Sequence, residues 1–321
     1  MADGPGPQLR PEAGLTFPPG CAYIGSQFVP MSEARISVLD WGFLRSDATY
    51  DVVHVWKGRF FRLDVHIERF LNGIAKLRME LPFGPERLQA ILAECVRRAE
   101  LNDAYVEMIL TRGTSPTFSR DPRDAINTFI AFAIPFGSVA NADQMTRGVN
   151  LHVSSIPRIG PDSVDPTVKN YHWLDLVAGL YEAYDAGAEN VPLVDGDGNL
   201  AEGPGFNVFA VNDDQVTTPD RGVLEGVTRR TALELLAELQ GEAKTAPLSI
   251  AALKAADEVF ITSTAGGVMP VGRIDGVAPS ADAPGPLTQR LTERYWAKHT
   301  DPAWSVGVDD LPTLDDWRRD D

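Results

Sequence analysis

Cysteine is nearly absent from this chain. Two residues, Cys21 and Cys95, stand among 321, too few for a disulfide framework and in keeping with a reducing cytoplasm. Long apolar runs are missing too: no stretch reaches the ~18 apolar residues that cross a bilayer, so no membrane span is expected. The first residues, Met1-Ala2-Asp3-Gly4-Pro5, lack the basic-then-apolar pattern of a secretory leader. Positive charge is short. The 29 Lys and Arg against 45 Asp and Glu give a net −16. Nucleic acid and anionic membrane surfaces repel such a polyanion, which leaves small molecules as partners and the cytoplasm as the expected location. The signatures GxGxxG, GxxxxGK(S/T), CxxC and HExxH do not occur. The five histidines (His54, His66, His152, His172, His299) form no i, i+4 pair, so no metal site is expected.

The length suits one large or two ordinary domains. Residues 1–20, rich in Pro and Gly, read as a loose tail. Residues 21–137 read as a small α+β domain, with a hairpin over 22–29 and a second over 52–63 that turns at Lys57-Gly58. Ile67, Phe70, Leu71, Ile74 and Leu77 fall at helical spacing, as do Leu88, Ile91, Leu92, Cys95 and Val96 in a helix opening near Pro85. Strands follow at 105–111 and 128–133. Polar, aperiodic residues 138–148 read as a linker. A larger β-rich domain with helices spans 149–308, with strands at 149–153, 191–194, 200–202, 206–211, 215–218, 259–263 and 268–271. Turns fall at Asp195-Gly196-Asp197-Gly198 and Asn212-Asp213-Asp214. Helices are expected over 173–184, 229–239, after the good N-cap Ser249, and over 287–296. Residues 309–321 read as an acidic, frayed tail.

Lysine is scarce as well, and that makes elimination possible. Lys57 lies in a hairpin turn, Lys76 on the polar side of a helix, and Lys244, Lys254 and Lys298 in charged surface segments. Lys169 alone stands at a junction, after Asp165-Pro166 and before the aromatics Tyr171 and Trp173. Its backbone would be fixed and its amine free, as a lysine forming a Schiff base with an aldehyde cofactor requires. A phosphate-bearing cofactor of that kind also needs an anion site and an acid for its ring nitrogen. The glycine-punctuated entry Gly222 to Arg230 can offer backbone N–H groups at a helix start; read otherwise, it is a capped helix with Thr231-x-x-Glu234 as a capping box. Thr262-Ser263-Thr264-Ala265-Gly266-Gly267 is a second anion candidate or an ordinary turn. Arg62 would supply charge or lie solvated in its hairpin, and Glu202, before Gly203-Pro204-Gly205, is the acid or a loop glutamate.

Together and in this order the segments resemble the fold-type IV pyridoxal phosphate enzymes. The matching pieces are 35–43, Phe61-Arg62-Leu63-x-x-His66, Val168-Lys169-Asn170, Glu202-Gly203-x-Gly205-Phe206-Asn207, Gly226-Val227-Thr228-Arg229 and 263–267. The resemblance implies an α+β fold in two domains with pyridoxal 5'-phosphate between them, in a homodimer or a higher homo-oligomer. Lys169 would be the Schiff-base lysine and proton shuttle, and Glu202 would pair with the pyridine nitrogen. Arg62, Val227, Thr228 and Thr264 would hold the phosphate, and Leu224 would pack on the ring.

Departures from the family choose the subgroup. Branched-chain enzymes carry a carboxylate-binding arginine in the strand that here reads Tyr105-Val106-Glu107. Glu107 would repel an α-carboxylate. The Arg-x-His trap of D-amino acid enzymes is missing after Thr111-Arg112-Gly113. The stretch Arg45 to Val53 is similar to that of (R)-selective amine transaminases. Arg45, Tyr50, Val52, Tyr105, Glu107, Trp173, Ser263 and Ala265 are therefore expected to shape the substrate pocket, and Arg120 or Arg123 to swing in and bind the carboxylate of a keto acid such as pyruvate. The expected reaction is ping-pong transamination from an (R)-amine. A D-amino acid or branched-chain aminotransferase is the alternative, and an aminodeoxychorismate lyase a remoter one.

Overall fold

A computed structural model describes residues 17–213, 215–239 and 243–314. The early residues of the expected N-terminal tail, Asp214 of the expected turn and the end of the acidic tail lie outside the described residues.

Two sheets divide the chain. The first is antiparallel throughout and is built from β1 (Cys21–Ile24), β2 (Gln27–Pro30), β3 (Ala48–Trp56), β4 (Arg59–Phe61), β5 (Ala104–Thr114) and β6 (Ile126–Pro135). Helix α1 (Trp41–Arg45) leads into β3, while α2 (Leu63–Lys76) and α3 (Pro85–Ala99) pack on the sheet. The β3–β4 turn has positive φ at both Lys57 (50°) and Gly58 (73°), the backbone that matches strand twist in a two-residue hairpin. Leu63, Ile67, Phe70 and Ile74 of α2 and Leu88, Ile91, Leu92, Cys95 and Val96 of α3 meet Val53, Val55, Val106 and Met108 in one core. Strand β3 begins at Ala48 rather than near Val52. Thr49, Tyr50 and Asp51 can be buried there because the Thr49 hydroxyl, the Tyr50 N–H and the Asp51 carboxylate are all hydrogen-bonded.

Helix α4 (Ala142–Arg147) falls inside the stretch expected as a linker. Its cause is a capping box: Asn141 Oδ1 accepts from Gln144 N, and Gln144 Oε1 accepts from Asn141 N. Then come β7 (Val149–Leu151), α5 (Leu174–Asp185), β8 (Glu202–Gly203), β9 (Phe206–Asn212), β10 (Gln215–Thr218), α6 (Val227–Leu239), β11 (Lys244–Thr245), α7 (Ile250–Lys254), β12 (Glu258–Ser263), β13 (Gly267–Ile274) and α8 (Pro286–Ala297). The second sheet runs β11-β10-β9-β12-β13-β7, with β8 beside β9. Alternation along the central strands sends Val208, Ala210, Val259 and Ile261 to one core and Phe209, Val211 and Phe260 to another, under α6 and α8. No strand forms over 191–194: Val194 makes only isolated bridges, to Leu200 and Pro157. Among the described residues no helix is long and apolar enough to cross a membrane, and no three His, Cys, Asp or Glu cluster as metal ligands.

The last strand, β14 (Ser305–Gly307), returns to the first sheet and pairs antiparallel with β4. The expected frayed tail is also packed in its first residues. Arg97 donates to Val308 O at 2.7 Å and to Leu311 O at 3.0 Å, and Leu311 is buried.

Where the two halves meet, the ring nitrogens Nε2 of His54 and His299 lie 2.7 Å apart. Phe61 stacks on His299 with ring centroids 3.9 Å apart. Burial depresses both imidazoles, His54 well below its usual 6.5 and His299 to about 4. The unfolded chain therefore takes up these protons first as pH falls. Stability that the neutral pair contributes above about pH 6.5 is lost on acidification through about pH 4. Thermal melts from pH 7 to 4 are expected to show a falling midpoint, with a shallower slope in His299→Gln.

Candidate active site

The segment before Lys169 is tied down by its own side chains. Asp165 Oδ1 accepts from Thr167 N at 2.9 Å, and Asp165 Oδ2 takes the Lys76 amine at 2.9 Å. Lys169 then runs beside the start of β3, where its carbonyl accepts from Thr49 Oγ1 at 2.9 Å and Tyr50 N at 3.1 Å. Helix α2 comes close behind. A Cβ on Gly73 would stand 2.9 Å from Thr49 Oγ1, so glycine is what lets the helix back this contact. The Lys169 amine lies over the ring of Tyr50, 4.5 Å from its centroid.

The amine faces a cleft between the two halves. Glu202 borders it and is buried; Oε1 accepts from Arg158 Nε at 3.2 Å and Oε2 from Leu224 N at 2.8 Å. Burial raises the Glu202 carboxyl above its usual value, and Arg158, the Leu224 N–H and Lys169 oppose that rise. Arg158 also donates to Asp175 Oδ2 at 2.6 Å, so the start of α5 steadies the same carboxylate. Leu224, Val227, Thr228 and Thr264 border the same cleft. Helix α6 starts at Val227, two residues earlier than the periodicity predicts, so its first turn, whose N–H groups have no partner within the helix, borders the cleft. Gly226 is needed at this entry: a Cβ there would stand 2.2 Å from Asn207 Oδ1. The alternative capping box fails, because Thr231 is buried inside α6 and Glu234 turns to Arg62.

Arg62 does not border the cleft. Its Nη1 donates to Glu234 Oε2 at 2.5 Å, and its guanidinium lies 4.6 Å from the centroid of the Trp304 ring. The solvated-hairpin alternative is equally excluded, since Arg62 is buried.

Tyr50, Val52, Tyr105, Trp173, Ser263 and Ala265 line the cleft. Glu107 lies just behind, opposite Val52 in the β3–β5 register. Both of its oxygens are taken: Oε1 accepts from Tyr171 OH at 2.7 Å and Oε2 from Tyr105 OH at 3.2 Å. Burial raises the Glu107 carboxyl while Tyr171 and Lys169 pull it back. Burial, then Glu107, pushes both tyrosine hydroxyls far up. Arg45, Arg120 and Arg123 are not brought here. Arg45 stacks on Trp41 and lines a separate cleft, Arg120 is exposed, and Arg123 is held by Asp121 on an exposed loop.

Sequence reasoning missed Arg158, Tyr171 and the buried group Asp51–His66–Arg69. Asp51 is grasped by Arg69 at 2.7 and 2.8 Å and by His66 Nδ1 at 2.7 Å. Burial alone would raise its carboxyl; Arg69 and His66 outweigh that and hold it well below the usual range. The i, i+3 spacing of His66 and Arg69 on α2 was the available signal.

The arrangement fits a flat aldehyde bearing a phosphate. An amine, a buried carboxylate and a helix start with the hydroxyls of Thr228 and Thr264 converge on one cleft. The model of the amino-transferase class IV family matches residues 48–274. The chain is 31% identical over 291 residues to a putative branched-chain-amino-acid aminotransferase of Methanocaldococcus jannaschii, covering 90% of this chain and 99% of the relative. It is 27% identical to a D-alanine aminotransferase of Listeria monocytogenes, covering 85% of this chain and 93% of that one. A crystal structure of the T.th. branched-chain amino acid aminotransferase with pyridoxamine 5'-phosphate superimposes with a TM-score of 0.85 at 28% identity, covering 91% of this chain and all of the other.

Proposed function

The chain belongs to the class IV aminotransferases, and on that footing we propose that it moves an amino group from an (R)-amine to a keto acid such as pyruvate, in two half-reactions. Class IV aminotransferases are pyridoxal phosphate-dependent enzymes. When bound, the cofactor supplies an aldehyde that captures the amine and a ring that withdraws electrons from it.

The residues have separate tasks. Lys169 Nζ would take the proton from the donor's amine-bearing carbon and hold it for the return transfer, and in the half-reaction with the keto acid it would act in the opposite sense. Glu202 would hold the ring nitrogen in its protonated form, and Arg158 holds the Glu202 carboxylate in place for that task. The N–H groups of Val227 and Thr228 and the hydroxyls of Thr228 and Thr264 would bind the phosphate, and Leu224 would pack on the ring. Arg62 supports α6 through its ion pair with Glu234. Tyr50, Val52, Tyr105 and Trp173 enclose the donor and exclude water.

One observation supports an amine over an α-amino acid. Among the described residues the two arginines that border the cleft are both engaged by carboxylates, Arg69 by Asp51 and Arg158 by Glu202 and Asp175, and the strand β5 carries Glu107. A donor carboxylate would meet no ready guanidinium and would sit near a tyrosine-bound glutamate. With pyruvate as acceptor, (R)-1-phenylethylamine is expected to turn over faster than D-alanine, L-leucine or the (S)-amine. Faster turnover of D-alanine or L-leucine would favour the D-amino acid or branched-chain alternative. Exposed Phe43, Leu174 and Tyr181 support assembly as a homodimer or higher.

A further inference from the structure

The Lys169 amine rests on the face of Tyr50, 4.5 Å from the ring centroid, a favourable placement for a cation. A ring can hold an amine in one place only if the ring cannot tilt. Tyr50 is backed by Tyr171, whose ring stacks on it with centroids 4.3 Å apart and planes 9° from parallel. Tyr171 is fixed in turn, because its hydroxyl donates to Glu107 Oε1 at 2.7 Å. Glu107 is steadied by Tyr105 OH at 3.2 Å on its other oxygen. Tyr171 itself does not border the cleft. It lies two residues beyond Lys169, so the chain that carries the amine also carries the back of its platform.

We infer that Tyr171 is a positioning residue for Lys169, acting through Tyr50 and locked by Glu107. It touches neither donor nor cofactor; it sets where the amine stands when a proton must move. Proton transfer is steep in distance, and a displacement of 1 Å can cost roughly 100-fold. The consequence falls on the chemical step and not on binding.

The inference rests on the proposed role of Lys169 as proton carrier. The test uses holoenzyme and whichever donor is turned over best. In Tyr171→Leu, kcat is expected to fall about 10- to 100-fold with the donor KM nearly unchanged, and the isotope effect from deuterium on the donor's amine-bearing carbon should rise. Without donor, the pH midpoint of the cofactor's visible band should shift, since that band reports the surroundings of the lysine nitrogen. Tyr171→Phe keeps the stack and loses the lock, and should fall between wild type and Tyr171→Leu. Should Tyr171→Leu fail to fold, Tyr171→Phe and Glu107→Gln, which keep the volume, carry the test. A lower kcat with unmoved isotope effect and band midpoint would mean a merely structural role and overturn the inference. A raised KM with unchanged kcat would make Tyr171 a donor contact and overturn it equally. If Lys169→Ala kept its activity, the lysine's role would fail first; if that variant is inactive and Tyr171→Leu behaves as wild type, only this inference fails.

Discussion

Lys169→Ala is expected to lower kcat by about 10⁴-fold, the upper end of what a positioned acid–base group contributes. That corresponds to about 5.5 kcal/mol of barrier. The fold should survive, because the features that fix this segment do not involve the amine. Thr49 and Tyr50 bind the carbonyl of Lys169, and Asp165 organises the turn before it. The cofactor should still bind through the α6 entry and Glu202 while its visible band changes, since the lysine nitrogen is gone. A small primary amine added at high concentration should restore part of the rate, because alanine leaves open the space over Tyr50. A purified variant with near wild-type turnover would sink the assignment.

Glu202→Gln is the second large effect. The carboxylate accepts from Arg158 Nε on one oxygen and from Leu224 N on the other. Glutamine offers one oxygen and one NH2, so one of those donors must face another donor. In the proposed role the ring nitrogen would also lose its anionic partner. A fall in kcat of about 10²- to 10³-fold is expected, the scale of removing one preorganised electrostatic contact. Glu202→Ala should also lose about 3–5 kcal/mol of stability, because it leaves the Arg158 charge without one of its buried partners; Asp175 still engages Arg158 and places the loss toward the lower figure. Saturating-cofactor kinetics and urea midpoints separate the two effects. Full activity in Glu202→Gln would remove the glutamate from the mechanism.

The residues Lys169, Glu202, Leu224, Val227, Thr228 and Thr264, which the fold gathers at one cleft, could be singled out in the sequence because their signals are local. A lysine after a turn, a glutamate before Gly203-Pro204-Gly205 and glycines entering a helix each declare themselves within a few residues. The periodic helices α2, α3 and α8 were readable for the same reason. What stayed hidden depends on partners far apart in the chain. Arg158 sits in an irregular loop, and nothing nearby announces that it holds Glu202, 44 residues on. Arg62 matched its motif, yet Glu234, 172 residues away, claims the guanidinium. Arg45 was placed in the pocket by its motif, and the fold sets it in a neighbouring cleft; Arg120 and Arg123, expected to swing in on the acceptor, stand exposed on their loop. The stretch 191–194 has strand composition but finds no neighbouring ladder, which composition cannot express.

The return of β14 to β4 has a bearing on synthesis. Arg59 Nε donates to Ser305 Oγ across 246 residues, so one edge of the first sheet stays bare until residues 305–307 leave the ribosome. At ordinary elongation rates that wait is roughly 10–50 s. During it, β4 exposes unpaired backbone groups on a nascent chain, the kind of surface that draws chaperones or sticks to a neighbour. Released chains truncated before residue 305 should therefore be more sensitive to protease and more readily captured by a chaperone than released chains truncated after residue 314.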